Sequence, residues 1–372
     1  MKLSCNRESL LESFQIAESI TPRKTSKPIL KNVKIEATGE KITIMATNIE
    51  MTMKKVFEVG SVGDEGAVLI SGRDMTNILR ESDSEEIFIE DKDNSVMIKA
   101  GDAQFTIQSN IAEEFFNIEE IKTDYEITVS KQRLERMINQ TIFTSGKETM
   151  AYTFEGILFN IFDSTLEVVG TDGKRIAIAS EQKIKSGGKG DKERKYLVPM
   201  QALRIILNIL SISSDEDISI GFSNNFVIFK DSTTELRTQL IEGRFPEYKN
   251  YIPESYKINS VFNKADLVSG LRKADIMTSQ ETHLITFSFS KDAGICTMSS
   301  RCLDRGTSEV NVSMELYEGE DIKVGFDGRH LLDVLRVVET EKITWKIKEE
   351  QGPGEITEGD VYRYVFMPVK LR

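Results

Sequence analysis

Apolar side chains recur with helical spacing in six short stretches of the chain. Between these stretches they alternate with polar ones. In ISGRDMTNILR (70–80), VPMQALRIILN (198–208) and FDGRHLLDVLR (326–336), Met75, Leu203 and Leu331 lie 128 residues apart. Ile78, Ile206 and Val334 repeat that interval, as do Leu79, Leu207 and Leu335. Each trio is an i, i+3, i+4 stripe, the mark of a helix with one buried face. A second set carries Leu10, Phe14 and Ala17, then Leu134, Ile138 and Thr141, then Leu267, Leu271 and Ala274, at offsets of 124 and 133. ILKNVKIEATGEKITIMAT (29–47), GILFNIFDSTLEVVGT (156–171) and LITFSFSKDAGICTMSS (284–300) each read as two alternating runs around a turn, which predicts hairpins. The chain is thus three similar modules, each of two strand–helix–strand halves. The boundaries fall near 109–124 and 243–256, both aromatic, charged and turn-rich. Edge strands must be paired or covered, and repeated modules can do this by joining sheets edge to edge.

Composition narrows the class. The 372 residues are 39% hydrophobic and 29% charged, as in a globular, charge-rich protein. No apolar run is long enough for a membrane span, and MKLSCNRESLLES lacks the apolar centre of a signal peptide. Three thiols in so long a chain, Cys5, Cys296 and Cys302, point to a reducing, cytoplasmic setting. The net charge of −12 argues against nucleic acid until its distribution is considered. The six helical segments together are positive by two, which leaves −14 on the remainder. A shared helix face could meet phosphates while the strands repel them. On charge alone, ordinary mixed helix surfaces explain the sum equally well.

Catalytic constellations are missing. His283 and His330 have no ligand-like neighbours, and His330 reads as a solvated helix residue. Cys296 and Cys302 lack a C-x-x-C partner set. SGGKGDK (186–192) lacks the spacing of a phosphate-binding loop, and the basic stretch 183–195 around it reads as a solvated hairpin loop. Asp163, Asp172, Asp292 and Asp304 stand near turns, where aspartate commonly caps the backbone. Two readings besides DNA binding stay open on these residues: a peptide-binding scaffold with no role on DNA, and a metal-dependent phosphoesterase.

KPILKN (27–32), TNIEMTM (47–53), GILF (156–159), TDGKRIA (171–177), GRFPEY (243–248) and YVFMPVKLR (364–372) occur in an order that resembles the bacterial DNA polymerase III beta subunit family, the sliding clamps, end to end. The resemblance implies an α+β fold of three similar domains, 1–122, 123–252 and 253–372, each with two helices packed on antiparallel sheets. It implies a head-to-tail homodimer closing into a six-domain ring, with helices lining the hole. Such a ring encircles double-stranded DNA without reading its sequence and tethers the polymerase. It has no active site and no cofactor. The implied partners are the DNA polymerase III alpha subunit, a clamp loader and other proteins of replication and repair that carry a clamp-binding motif.

Site residues follow from the same resemblance. A groove for partner peptides is implied at Phe154, Thr171, Gly173, Lys174, Arg175, Ile176, Pro246, Asn250, Tyr251, Val365, Met367, Pro368 and Val369. The dimer contact is implied at Phe105 and Ile107 on one side and Ile276 and Met277 on the other. Contact with DNA is expected at Arg23 or Lys24, at Tyr152, and, from helix location, at Arg73, Lys131, Arg133, Arg136, Arg204, Arg272 and Lys273. The chain departs from the family in having Lys174 where histidine is usual and in its PVKLR ending, with Lys370 for arginine and Arg372 added. Both departures bear on which peptides the groove prefers.

Overall fold

The computed structural model describes residues 1–59, 61–116, 122–145, 155–187 and 193–371. Among them are six α-helices: α1 (Arg7–Ile20), α2 (Gly72–Glu81), α3 (Lys131–Ile142), α4 (Met200–Ile212), α5 (Lys264–Asp275) and α6 (Gly328–Val337). Side-chain caps at Asn6, Ser71, Asn263 and Asp327 satisfy free N–H groups at the starts of α1, α2, α5 and α6. The apolar stripes are buried as expected, from Leu10, Phe14 and Ala17 through Leu331, Val334 and Leu335. Leu207 is the exception and is half-buried. The three expected hairpins form, pairing Asn32–Thr38 with Lys41–Thr47, Gly156–Phe162 with Thr165–Thr171, and Leu284–Ser290 with Ile295–Cys302. Asp163 and Ser164 both take positive φ in the two-residue turn of the second, as a tight hairpin requires.

The chain packs as two compact units. The first comprises 1–135, 184–190 and 201–240, and the second comprises 136–183, 191–200 and 241–372. The middle repeat is therefore divided between them. In the first unit, Thr234–Gln239 of the middle repeat pairs with Met51–Glu58 of the first, with Leu236 opposite Met53, inside one fourteen-stranded antiparallel sheet. In the second unit, Arg175–Gln182 pairs with Tyr362–Phe366, with Ile176 opposite Val365, inside a nine-stranded sheet. Edge-to-edge joining thus links successive repeats. A four-stranded sheet completes the second unit. Its core centres on Trp345, fully buried among Phe262, Phe287, Phe289, Phe326 and Phe366.

One device recurs in all three repeats. The first residue of the first helix in each repeat ties down the end of the second helix. The N–H of Arg7, Lys131 and Lys264 donates to the carbonyl of Glu85, Glu216 and Glu341, each at 2.8 Å. Their side chains donate to carbonyls at or just past the second helix's C-terminus. Arg7 Nη1 reaches Leu79 O at 3.0 Å, Lys131 Nζ reaches Ser213 O at 2.6 Å, and Lys264 Nζ reaches Val338 O. Those carbonyls lack helical partners, and a cation there also meets the negative end of the helix dipole.

Among the described residues several strands pair on one side alone, such as Ser61–Asp64, Arg194–Pro199, Leu316–Glu318 and Ile322–Asp327, and two more lie beside the expected dimer-contact residues. Ala103–Asn110 touches Gly66–Ser71 only through Ser109 and Asn110, so 103–108 has a partner on one side alone. Gly306–Ser313 pairs only with Ile295–Cys302.

Candidate peptide groove and nucleic-acid face

The turn from Thr171 to Arg175 is held by its own side chains. Asp172 Oδ1 accepts the N–H groups of Lys174 and Arg175 at 2.9 and 3.1 Å. Thr171 Oγ1 accepts from Gly173 N–H and donates to Arg175 O. Gly173 sits at φ +85°, a conformation that favours glycine. The turn presents Gly173 and Lys174 to solvent and draws Arg175 inward.

Arg175 is a buried strut. Its Nε donates to Asp172 Oδ2 and its Nη1 to Asp333 Oδ2 on α6, both at 2.9 Å. Nη2 donates to Phe143 O at 3.0 Å, and the guanidinium lies over the Phe143 ring. Burial alone would lower its pKa, but Tyr364, Asp333 and Asp172 more than offset this, so it stays charged. Tyr364 donates to His330 O at 2.9 Å and so ties strand Tyr362–Phe366 to α6.

The C-terminal tail runs on from that strand. Met367 N–H donates to Lys174 O at 2.9 Å, and Val369 N–H donates to Gly325 O at 2.8 Å. Val365 and Ile176 are buried, while Met367, Pro368 and Val369 are half-buried. Ile176 also belongs to a cluster with Leu158, Val169, Ile178, Leu197, Ile241, Phe245 and Tyr248, against which Ile252 packs. This cluster anchors segment 243–252 to the same strands. Tyr248 donates to Glu167 at 2.6 Å beneath it, and burial and Glu167 push the phenol pKa up. Pro246 is half-buried, and Asn250 and Tyr251 are exposed on that segment. The structure therefore gathers twelve of the thirteen expected groove positions into one unit, on three adjoining segments. Phe154 lies outside the described residues.

His330 is half-buried and not the solvated residue expected from sequence. Burial, and then Arg175, lower its pKa below the usual imidazole value, against the pull of Asp327. The unfolded chain takes up this proton near pH 6.5. The folded chain takes it up only at lower pH. Below about pH 6.5 the unfolded state holds more protons, so this contribution to stability falls as pH falls through that window. We expect His330→Gln to flatten the drop in urea midpoint between about pH 7.5 and about pH 5.5. An identical drop in both proteins would refute the assignment.

The cationic residues divide more sharply than their charge suggested. In the first unit, a cleft of about 1190 Å³ is lined by Arg23 and Arg73 together with Lys31, Arg80, Gln201 and Asn208, with Glu12 and Glu18 also at its wall. Arg80 and Lys31 are additions to the expected set. Arg80 lies two helical turns from Arg73, a spacing visible in the sequence. Lys24 is exposed, Arg204 is exposed on α4, and Arg133 is half-buried on α3. Arg272 and Lys273 are exposed in the last turn of α5. Two of the expected cations have partners within the chain. Lys131 is engaged at the end of α4, as described above. Arg136 binds Glu358 Oε2 at 2.7 Å and Glu339 at 3.3 Å, which makes it a packing link of the second unit. Tyr152 falls outside the described residues.

Of the expected interface residues, Phe105 and Ile107 are half-buried on the open-edged strand Ala103–Asn110. Ile276, 55% exposed, and half-buried Met277 follow α5, whose Ala274 carbonyl accepts from Ser308 on open-edged strand Gly306–Ser313. Among the described residues no cluster of His, Cys, Asp and Glu could hold a metal ion. Cys5 and Cys296 are buried free thiols, and burial together with Glu86 pushes Cys5 up to about 12. No described helix is long and apolar enough to cross a membrane.

Comparison with known proteins agrees with this geometry. The profiles of the DNA polymerase III beta subunit match in order: its N-terminal domain at residues 1–119, its central domain at 128–247 and its C-terminal domain at 249–370. The beta sliding clamp of Chlamydia trachomatis is 26% identical over all of this chain and 87% of its own length. That of Pseudomonas aeruginosa is 23% identical over the full length of both. The crystal structure of the P. aeruginosa clamp bound to griselimycin superposes with a TM-score of 0.93 at 22% identity, and that of the Thermotoga maritima beta subunit with 0.91 at 23%, each over the full length of both chains. With three consecutive domain profiles covering nearly every residue, the chain belongs to the DNA polymerase III beta subunit family.

Proposed function

We propose that two copies of this chain close head to tail into a ring that encircles double-stranded DNA and holds the replicative polymerase to it. Family membership makes the chain a sliding clamp, a non-catalytic processivity factor. The observation that supports the ring is that the open edges 103–108 in the first unit and 306–313 in the second are the ones beside the exposed or half-buried apolar residues Phe105, Ile107, Ile276 and Met277. Edge pairing already joins successive repeats within the chain at Arg237–Thr52 and Ile176–Val365. Joining the two unlike open edges between copies repeats that device, and two such joints close a dimer. Phe105, Ile107, Ile276 and Met277 flank those edges and supply apolar contact.

The cleft with Arg23, Lys31, Arg73 and Arg80 contacts DNA in the first unit, and the exposed pair Arg272 and Lys273 does so in the second. Lysine and arginine contacts to phosphate bind without reading bases, and a topological link then supplies persistence without high affinity. The groove around Gly173, Lys174, Ile176 and Met367 takes apolar anchors of a peptide from the polymerase alpha subunit, from the clamp loader or from other proteins of replication and repair.

Loading onto circular and linear DNA tests the ring. After loading by its clamp loader, the protein should stay on a nicked circle and leave within minutes of the circle being cut. Equal retention on both forms would remove the topological reading. The paired change Arg23→Glu and Arg73→Glu should weaken loading and lower the salt slope by about one per lost phosphate contact. The dimer should survive that change.

A further inference from the structure

The interval of 128 residues that aligns the second helices also aligns Leu69, Leu197 and Gly325. All three lie in the strand before the repeat's second helix. Each meets a later segment of its own repeat through the backbone. Leu69 is paired with Asn110, Leu197 O accepts Ile241 N–H at 2.9 Å, and Gly325 O accepts Val369 N–H at 2.8 Å. The backbone contact recurs, but the third repeat has glycine where the other two have leucine.

The reason is visible at the chain's end. A Cβ on Gly325 would come within 2.6 Å of the Val369 carbonyl oxygen and 2.7 Å of Leu371 Cδ2. Both are far inside contact distance, and the first is backbone that cannot swing aside. Leu371, together with Leu284 Cδ1 at 2.9 Å, thus occupies the space that a side chain at 325 would need. Pairing of strand Tyr362–Phe366 ends at Phe366. Beyond it the tail is fixed by Met367 to Lys174, by Val369 to Gly325, and by Leu371 seated over Gly325.

We propose that Gly325 and Leu371 form a knob-and-hole lock that sets the C-terminal tail as a wall of the partner-peptide groove. Both are positioning residues for peptide capture, and the proposal rests on the groove reading above. A locked tail presents Met367, Pro368 and Val369 before a peptide arrives. A loose tail must be ordered during binding, and that ordering weakens the complex.

The test uses the full-length protein and a fluorescently labelled peptide from the DNA polymerase III alpha subunit. Leu371→Ala and Gly325→Ala should each weaken binding about fivefold or more through loss of preorganisation. Leu371→Met, which keeps the volume, should stay within about twofold. The double alanine variant should bind no worse than the weaker single one, since one lock is broken once. Exchange of the Val369 amide should quicken in Leu371→Ala, a change that mere loss of a peptide contact would not produce. Unfolding followed on Trp345 fluorescence serves as the folding control. Should Gly325→Ala fail that control, Leu371→Ala decides alone, because Leu371 is half-buried and outside every helix and strand. Wild-type affinity in Leu371→Ala, with binding abolished by deletion of 367–372, overturns the lock and leaves the groove standing. Unchanged binding after that deletion overturns the groove reading and the lock together.

Discussion

Deletion of residues 367–372 is expected to weaken capture of an alpha-subunit peptide about 100-fold or more and to leave the mass of the proposed dimer unchanged. The size follows from what the tail supplies. Met367, Pro368 and Val369 are half-buried beside the Gly173–Lys174 turn, so they offer apolar surface that a peptide can finish covering. Burial contributes about 1 kcal/mol or more per such side chain, and about 2.7 kcal/mol in all is a factor of 100. The strand edges assigned to the dimer are 103–108 and 306–313, and the deletion touches neither. Isothermal titration with the peptide, paired with light scattering, checks both halves. Peptide affinity that survives the deletion would relocate the docking site.

Glu358→Ala is expected to lower the stability of the second unit by about 3 kcal/mol, the cost typical of leaving one partner of a buried ion pair alone. This carboxylate is a hub. It accepts from Arg136 Nη2 at 2.7 Å and Gln140 Nε2 at 3.0 Å on α3. It also accepts from the backbone N–H groups of Glu339 and Thr340, at 3.0 and 3.1 Å, just past α6. Its side chain is 7% exposed, so water cannot replace it. Without it Arg136 keeps, among the described residues, Glu339, which is 66% exposed and binds weakly for that reason. Glu358→Gln keeps an acceptor oxygen and should cost about half as much. Urea unfolding read from Trp345 reports on the right unit, since Trp345 is the chain's single tryptophan and lies in the same core. A loss below about 1 kcal/mol in Glu358→Ala would show that the network adds no stability.

Hydrophobic periodicity exposed most of the fold, because burial acts on every repeat of the stripe. Leu10, Leu134 and Leu267 are all fully buried, as are Phe14, Ile138 and Leu271. Turn chemistry was equally plain at Asp163 and Asp172, which both stand in tight turns. Charge was legible as a type and not as a destination. Lys131 and Arg136 sit on a helix at positions open to several roles, and their contacts with the carbonyl of Ser213 and the carboxylate of Glu358 are visible only in the fold. Those partners lie 82 and 222 residues away, beyond any local pattern. Arg175 shows the same limit. The resemblance placed it at the groove, but its guanidinium faces Asp333 and Phe143 O. Gly325 could have been found, since the 128-residue interval sets it against two leucines, but the meaning of the exchange needs the position of Leu371.

The division of the middle repeat between two units has a consequence for how such a chain can be cut. Excising any one repeat at its sequence boundaries would strip Met51–Glu58 of Thr234–Gln239, or Arg175–Gln182 of Tyr362–Phe366, and leave raw sheet margins prone to self-association. What was copied and what coheres are different pieces of this molecule: inheritance runs in thirds, solidity in halves.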